Sequence, residues 1–277
     1  MEVTVLLVAA FCWASFDIAR KLLVKTNPPE FVSLAFSVMV LPVYLFMGWY
    51  NFTVWPPIDY YLPASFSAVF AAVGAVSFVR ALRQGKISVL IPVLAITPVL
   101  SIVFTQLLLD QSMPIAALAL VLMMSFSLYR LLGSGGGLRE PGSFSMLTCA
   151  ASWSLCIVFD KAALDYTSPW FHGAWLNASV ALLLGLYCMA SGLAFGFTGK
   201  KSHWLIGAMC FLFAVLCQLI ALKGLPPGVV EATKRAIGTV IGLAVGVWYF
   251  SENVKREQLF HAVILLLSMA CLLALYS

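Results

Sequence analysis

Ten runs of about 20 apolar residues follow one another along this chain, and a helix of that length is what a bilayer core demands. They fall at roughly 3–24, 30–50, 60–83, 87–109, 113–132, 142–163, 169–195, 202–222, 228–250 and 257–275. Asn27-Pro28-Pro29, Trp55-Pro56-Pro57 and Pro226-Pro227-Gly228 punctuate the gaps, as residues that end helices should. Charged side chains make up 10% of the 277 residues, against about 25% in a soluble domain. So few charges cannot cover a water-facing surface. The expected fold class is an all-α integral membrane protein with ten transmembrane helices. The net charge of +5 belongs to loops and gives no argument for nucleic acid. The segment starting Met1-Glu2 is acidic where a signal peptide is basic, and it recurs as residues 149–163, so it reads as helix 1 of the mature protein.

The recurrence extends over both halves at an offset of 140 residues. Ala10, Trp13, Lys21, Pro29, Phe31, Ala81 and Leu82 meet Ala150, Trp153, Lys161, Pro169, Phe171, Ala221 and Leu222 without a gap. The expected organisation is a first five-helix repeat over 1–132, a Gly-rich linker over 133–141 and a second five-helix repeat over 142–277. Five is odd, so the halves enter the membrane from opposite sides, as inverted repeats. Repeats of this kind point to a transporter with its substrate site near the midplane, between the halves.

Most other features carry structural readings. The seven cysteines (Cys12, Cys149, Cys156, Cys188, Cys210, Cys217 and Cys271) lie in apolar segments without metal or redox spacing and read as small core residues. His172, His203 and His261 show no ligand spacing, so no metal and no cofactor is expected. No Ser/His/Asp set or phosphate-binding Gly-rich loop suggests an enzyme. Trp49, Tyr50, Trp55, Tyr60, Tyr61, Trp170, Trp204, Trp248 and Tyr249 fall at helix ends and read as an interfacial belt. Lys25, Arg83, Lys86, Arg130, Arg139, Lys200, Lys201, Lys255 and Arg256 gather on one side; on the positive-inside rule that side is cytoplasmic and both termini are outside.

Charges inside the membrane are costly and mark function by default. Helix 9 holds Glu231, Lys234 and Arg235, the two cations about 10 Å along the helix from Pro227. Two cations near a positive helix N-terminus suit a phosphate or carboxylate, with Arg able to bind it bidentately. Locally, Glu231 can pair with Lys234 at i+3 or Arg235 at i+4, and one acid cannot neutralise both. Gly238, Gly242 and Gly246 read as a helix-packing ridge. On helix 1, Asp17 can pair with Arg20 or Lys21, or serve as a proton-coupling carboxylate or amine ligand, whereas Arg20 and Lys21 are near enough to the end to snorkel. Asp160-Lys161 on helix 6 reads as an interfacial pair. Trp13 and Trp153 could wall a cavity shared by both halves. Pro92, Thr97, Pro98 and Ser101 read as a kinked, cavity-lining helix 4, with Thr97 a substrate contact.

At these residues the chain resembles the drug/metabolite transporter superfamily, specifically its EamA-like ten-helix members. Phe11-Cys12-Trp13-Ala14-Ser15 running to Lys21, Ala81-Leu82-Arg83 leading into Ile96-Thr97-Pro98-Val99-Leu100, and Phe250-Ser251-Glu252-Asn253-Val254 carry the likeness, which covers essentially the whole chain. The Lys234-Arg235 pair is similar to that of the plastid phosphate-translocator and nucleotide-sugar branches, where it binds phosphate; the companion helix 4 lysine is absent. The resemblance implies cytoplasmic termini, opposite to the charge count, and both orientations stay open. The expectation is a secondary transporter in a bacterial inner membrane, a monomer or homodimer with the lipid bilayer as its surroundings. It would move a small polar metabolite, anionic or phosphate-bearing, by alternating access with a proton as a candidate coupling ion. A lipid-head-group flippase and an amino-acid or amine exporter are the alternatives. Substrate contacts are expected from Lys234, Arg235, Glu231, Trp13, Trp153, Asp17 and Thr97.

Overall fold

A computed structural model describes residues 1–51, 54–84, 90–132, 141–193, 196–250 and 256–276. Within them every element of regular secondary structure is a helix. The α-helices are α1 Glu2–Leu23, α2 Pro29–Tyr50, α3 Ile58–Gln84, α4 Thr97–Leu109, α5 Ile115–Leu132, α6 Ser143–Leu164, α7 Pro169–Ala190, α8 Lys201–Gly224, α9 Pro227–Phe250 and α10 Arg256–Ala274. Seven (α1, α2, α3, α6, α7, α8 and α10) are long and apolar enough to cross a membrane. The linker expected at 133–141 lies outside the described residues except for its last position, as do Lys86, Arg139, Lys255 and the turn Ser251–Val254.

Local chemistry sets the helix ends. Prolines open α2, α7 and α9, where a missing N–H and a fixed φ cost nothing. Ser168 caps α7 by accepting the Phe171 N–H at 3.2 Å. Lys161 Nζ donates to the carbonyls of Leu222 (2.6 Å) and Lys223 (3.0 Å), so this cation caps the negative end of α8 and is no free interfacial charge. Gly142, just ahead of α6, has φ +92°, and a Cβ there would lie 2.8 Å from the Ala81 carbonyl oxygen; only glycine fits both constraints.

Helix 4 differs from the continuous span expected over 87–109. Ile91–Ile96 is a 3₁₀ helix, and the α-helix begins only at Thr97. Pro98 has no N–H to offer the Leu94 carbonyl, so an α-type ladder cannot run unbroken through the junction.

The helix pairings have a simple order. The most extensive contacts join α3 to α6, α1 to α8, α2 to α7 and α5 to α10. Exchanging each helix for the one five places along maps this set onto itself. The buried interior includes Leu6, Tyr44, Met124, Ile157, Leu219 and Val230. Tyr44 Oη donates to the Leu212 carbonyl at 3.0 Å, satisfying a buried phenol. Large apolar side chains such as Phe46, Leu107, Leu182 and Leu267 point outward, the surface a lipid solvent favours. Of the aromatics read as a belt, Trp49, Tyr50 and Trp55 are exposed, but Tyr60 and Trp204 are buried and serve the interior.

Candidate functional site

The first turns of α9 deliver three charges to the bundle interior. Glu231 is 2% exposed. Its Oε1 accepts from Lys234 Nζ, and its Oε2 is 3.4 Å from Arg235 Nη2, so the single carboxylate is shared between both cations at i+3 and i+4. Lys234 Nζ also donates to Gln218 Oε1 on α8 at 2.7 Å. The same oxygen accepts the Trp13 indole N–H at 2.9 Å.

Each cation meets one of the two repeat-related tryptophans. Lys234 Nζ is 5.2 Å from the Trp13 ring centroid, and Arg235 Cζ is 5.5 Å from that of Trp153. Such placements over an indole face are attractive, more so when desolvated. Trp153 packs against Phe78 with centroids 5.3 Å apart, in a cleft that α3 opens by having glycine at position 74.

A third cation joins this group. Arg20 does not snorkel: it is 8% exposed, with Cζ 4.8 Å from the Phe16 and Phe78 centroids and 5.9 Å from Trp153. Its Nη2 pairs with Asp17 Oδ1 at 2.5 Å, and the Asp17 side chain is 46% exposed. Buried Cys149 lies within electrostatic reach of Arg235, Arg20, Glu231 and Asp17, so the two ion pairs share one neighbourhood. Three cations against two carboxylates leave one positive charge in excess. Nε of Arg20 and Nε of Arg235 are both buried without a hydrogen-bond partner among the described residues. An uncommitted buried N–H is costly, and an anionic oxygen is the partner that such a donor takes most strongly.

The structure therefore brings together Lys234, Arg235, Glu231, Trp13 and Trp153, with Asp17 attached through Arg20. Thr97 is fully buried at the start of α4; its carbonyl accepts from Ser101 Oγ at 2.9 Å and Ser154 Oγ at 3.0 Å, a helix-joining role. Sequence reasoning missed Gln218, Arg20 and Phe78. Gln218 and Phe78 stand 140 apart and meet Trp13 and Trp153 respectively, so the repeat offset itself was the available signal. A separate shallow cavity between α4 and α9 is lined by Ile102, Thr105, Gln111, Met113, Pro226 and Gly228.

Residues 1–133 match the sequence model of the EamA-like transporter family. No curated protein matches the chain. A protein of known crystal structure shares the fold with a TM-score of 0.78 at 16% sequence identity, the likeness covering 99% of this chain and 98% of the other.

Proposed function

We propose that this chain, a membrane transporter of the drug/metabolite transporter superfamily by its EamA-like first half, carries a small polar organic metabolite with an anionic group, carboxylate or phosphate. The observation that supports this reading is the convergence of Arg20 and Arg235 on Trp153, each with an uncommitted Nε. Lys234, held over Trp13 by Gln218 and Glu231, adds a third cation beside them. A planar guanidinium pair selects oxyanions geometrically, and the indole walls would pack the organic part of the ligand.

Transport would proceed by alternating access, the two five-helix halves acting as inverted repeats about a site in the middle of a bacterial inner membrane. The exchange symmetry of the helix contacts supports two halves that rock against each other. The test is uptake by purified full-length protein in liposomes, screened with carboxylated, phosphorylated and amine-bearing small molecules. Anionic compounds should be moved, and Lys234→Ala or Arg235→Ala should abolish that movement while leaving the protein inserted and monodisperse. Transport confined to amines, or undiminished anion transport by both variants, would overturn the assignment.

A further inference from the structure

A second buried polar cluster lies outside the cation site, where α3, α6 and α7 meet. Asp160 on α6 is 1% exposed and His172 on α7 is 0% exposed. Asp160 Oδ1 is 2.9 Å from His172 Nε2, and Ser67 Oγ on α3 donates to the same carboxylate oxygen. The Cys156 thiol is 3.7 Å from Oδ2. His172 Nδ1 is 3.1 Å from the Tyr60 hydroxyl on α3. The sequence reading of Asp160 as interfacial and of His172 as isolated is thereby corrected; contacts across three helices join them.

The hydrogen bonds define what the cluster can hold. With Asp160 ionised and His172 neutral, every partner is satisfied: Nε2–H, the serine and the thiol point to the carboxylate, and Tyr60 O–H points to Nδ1. That state carries one negative charge. One added proton fits at Nδ1, with the Tyr60 hydroxyl turned from donor to acceptor, and the cluster then becomes neutral. A buried net charge in a low-dielectric interior is costly, and the added proton removes it.

The charged and titratable surroundings are few. From α3 come Tyr60 and its neighbour Tyr61. On α6, Lys161 turns away to the end of α8, near Lys223 and Asp165. Tyr44 of α2 packs beside Gly173, its hydroxyl committed to α8. From α9, Glu231 and Lys234 lie within electrostatic reach of Cys156. Trp153, Cys156 and Asp160 follow at spacings of three and four, so one face of α6 runs from the arginine-stacked indole to the carboxylate, about 10 Å along the helix.

We propose that the Asp160–His172 pair, with Tyr60 and Ser67, is the proton-binding site of this transporter, and that a proton there and an anion at Lys234 and Arg235 bind cooperatively. The coupling half of this statement rests on the anion-site reading above. An anion cancels the positive field of Lys234 and Arg235, which favours the proton, and the proton in turn favours the anion, as linkage requires.

The test uses full-length protein in lipid vesicles with inorganic sulfate as the probe, which stays fully ionised throughout. Between about pH 8 and 5, sulfate affinity should rise as pH falls, by up to about tenfold per unit for one linked proton. Infrared spectra over the same range should show an imidazole protonation step. Asp160→Asn and His172→Gln, both retaining hydrogen-bonding groups, should bind sulfate but lose the pH dependence and the step. The double variant Lys234→Ala/Arg235→Ala should lose sulfate binding at every pH and keep the step. Sulfate binding independent of pH in the unmodified protein, or pH dependence unchanged in Asp160→Asn and His172→Gln, overturns the coupling. Absence of sulfate binding at any pH fails the anion reading; separately, an infrared step that is missing or indifferent to Asp160→Asn fails the proton site.

Discussion

Gly74→Ala is a one-methyl perturbation that reaches the proposed anion site without touching a charge. A Cβ at position 74 would sit 2.3 Å from Trp153 Cδ1 and 2.4 Å from its Nε1. Carbon atoms in contact prefer about 3.5–4.0 Å, so the indole must retreat by about 1 Å or more. It is held between Phe78 on one side and the guanidiniums of Arg20 and Arg235 on another. Overpacking of this kind costs about 1–3 kcal/mol, offset by about 1 kcal/mol of gained helix propensity, so the folded protein should lose at most about 2 kcal/mol. Each cation–π contact is worth about 0.5–2 kcal/mol. Disturbing both should weaken sulfate binding by about 1–3 kcal/mol, on the order of 5- to 150-fold. Calorimetric titration measures this directly, and a melting curve separates it from unfolding. Gly74→Ala/Trp153→Phe, which restores space, should recover stability but not affinity. Gly185→Ala is the control: its nearest new neighbour would be Leu34 Cδ1 at 4.0 Å, so it should leave binding unchanged. Sulfate binding by Gly74→Ala within twofold of the unmodified protein would refute the role given to the Trp153 face.

Three further substitutions test the scaffold. Gln218→Leu leaves the Trp13 indole N–H unpaired and removes one acceptor from Lys234, so thermal denaturation should register a loss of about 1–3 kcal/mol. Asn27, buried between α1 and α2, donates to the Leu23 and Thr198 carbonyls and accepts the Thr198 N–H, so Asn27→Ala should cost about 1–3 kcal/mol and speed proteolysis of the connection before α8. Lys161→Met uncaps α8 and should cost about 0.3–1 kcal/mol, with faster amide exchange at the last turn of α8 and unchanged sulfate affinity.

The cation site was partly legible because its members announce themselves locally. Glu231, Lys234 and Arg235 stand at helical spacing in an apolar run, and Trp13 and Trp153 repeat at the offset of 140. Arg20 was misjudged because nearness to a helix end predicts snorkelling only when that end faces water or lipid head groups. Here Phe78 of α3 and Trp153 of α6 cover it, from positions dozens of residues away or more. The same limit hid His172 from Asp160: the eleven residues between them include a turn, and Tyr60 and Ser67 arrive from another helix. In helix 4 the prolines were visible, but a kink and a change to 3₁₀ winding share the same prolines, and only the backbone distinguishes them.

Arg20 and Asp160 stand at matched positions of the 140-residue offset, with opposite charge. Each is sheltered partly by the other half: Arg20 by Trp153, Asp160 by Ser67 and Tyr60. Two copies of the first half set against each other would bury a pair of guanidiniums. Two copies of the second would bury a pair of carboxylates, with Gly207 and Lys200 where the serine and tyrosine are needed. On the proposed two-half organisation, like-with-like assembly would be penalised at these positions. Separately expressed halves should reassemble only as the mixed pair. The opposite charges at one shared position would thereby favour the pairing of unlike halves over like ones.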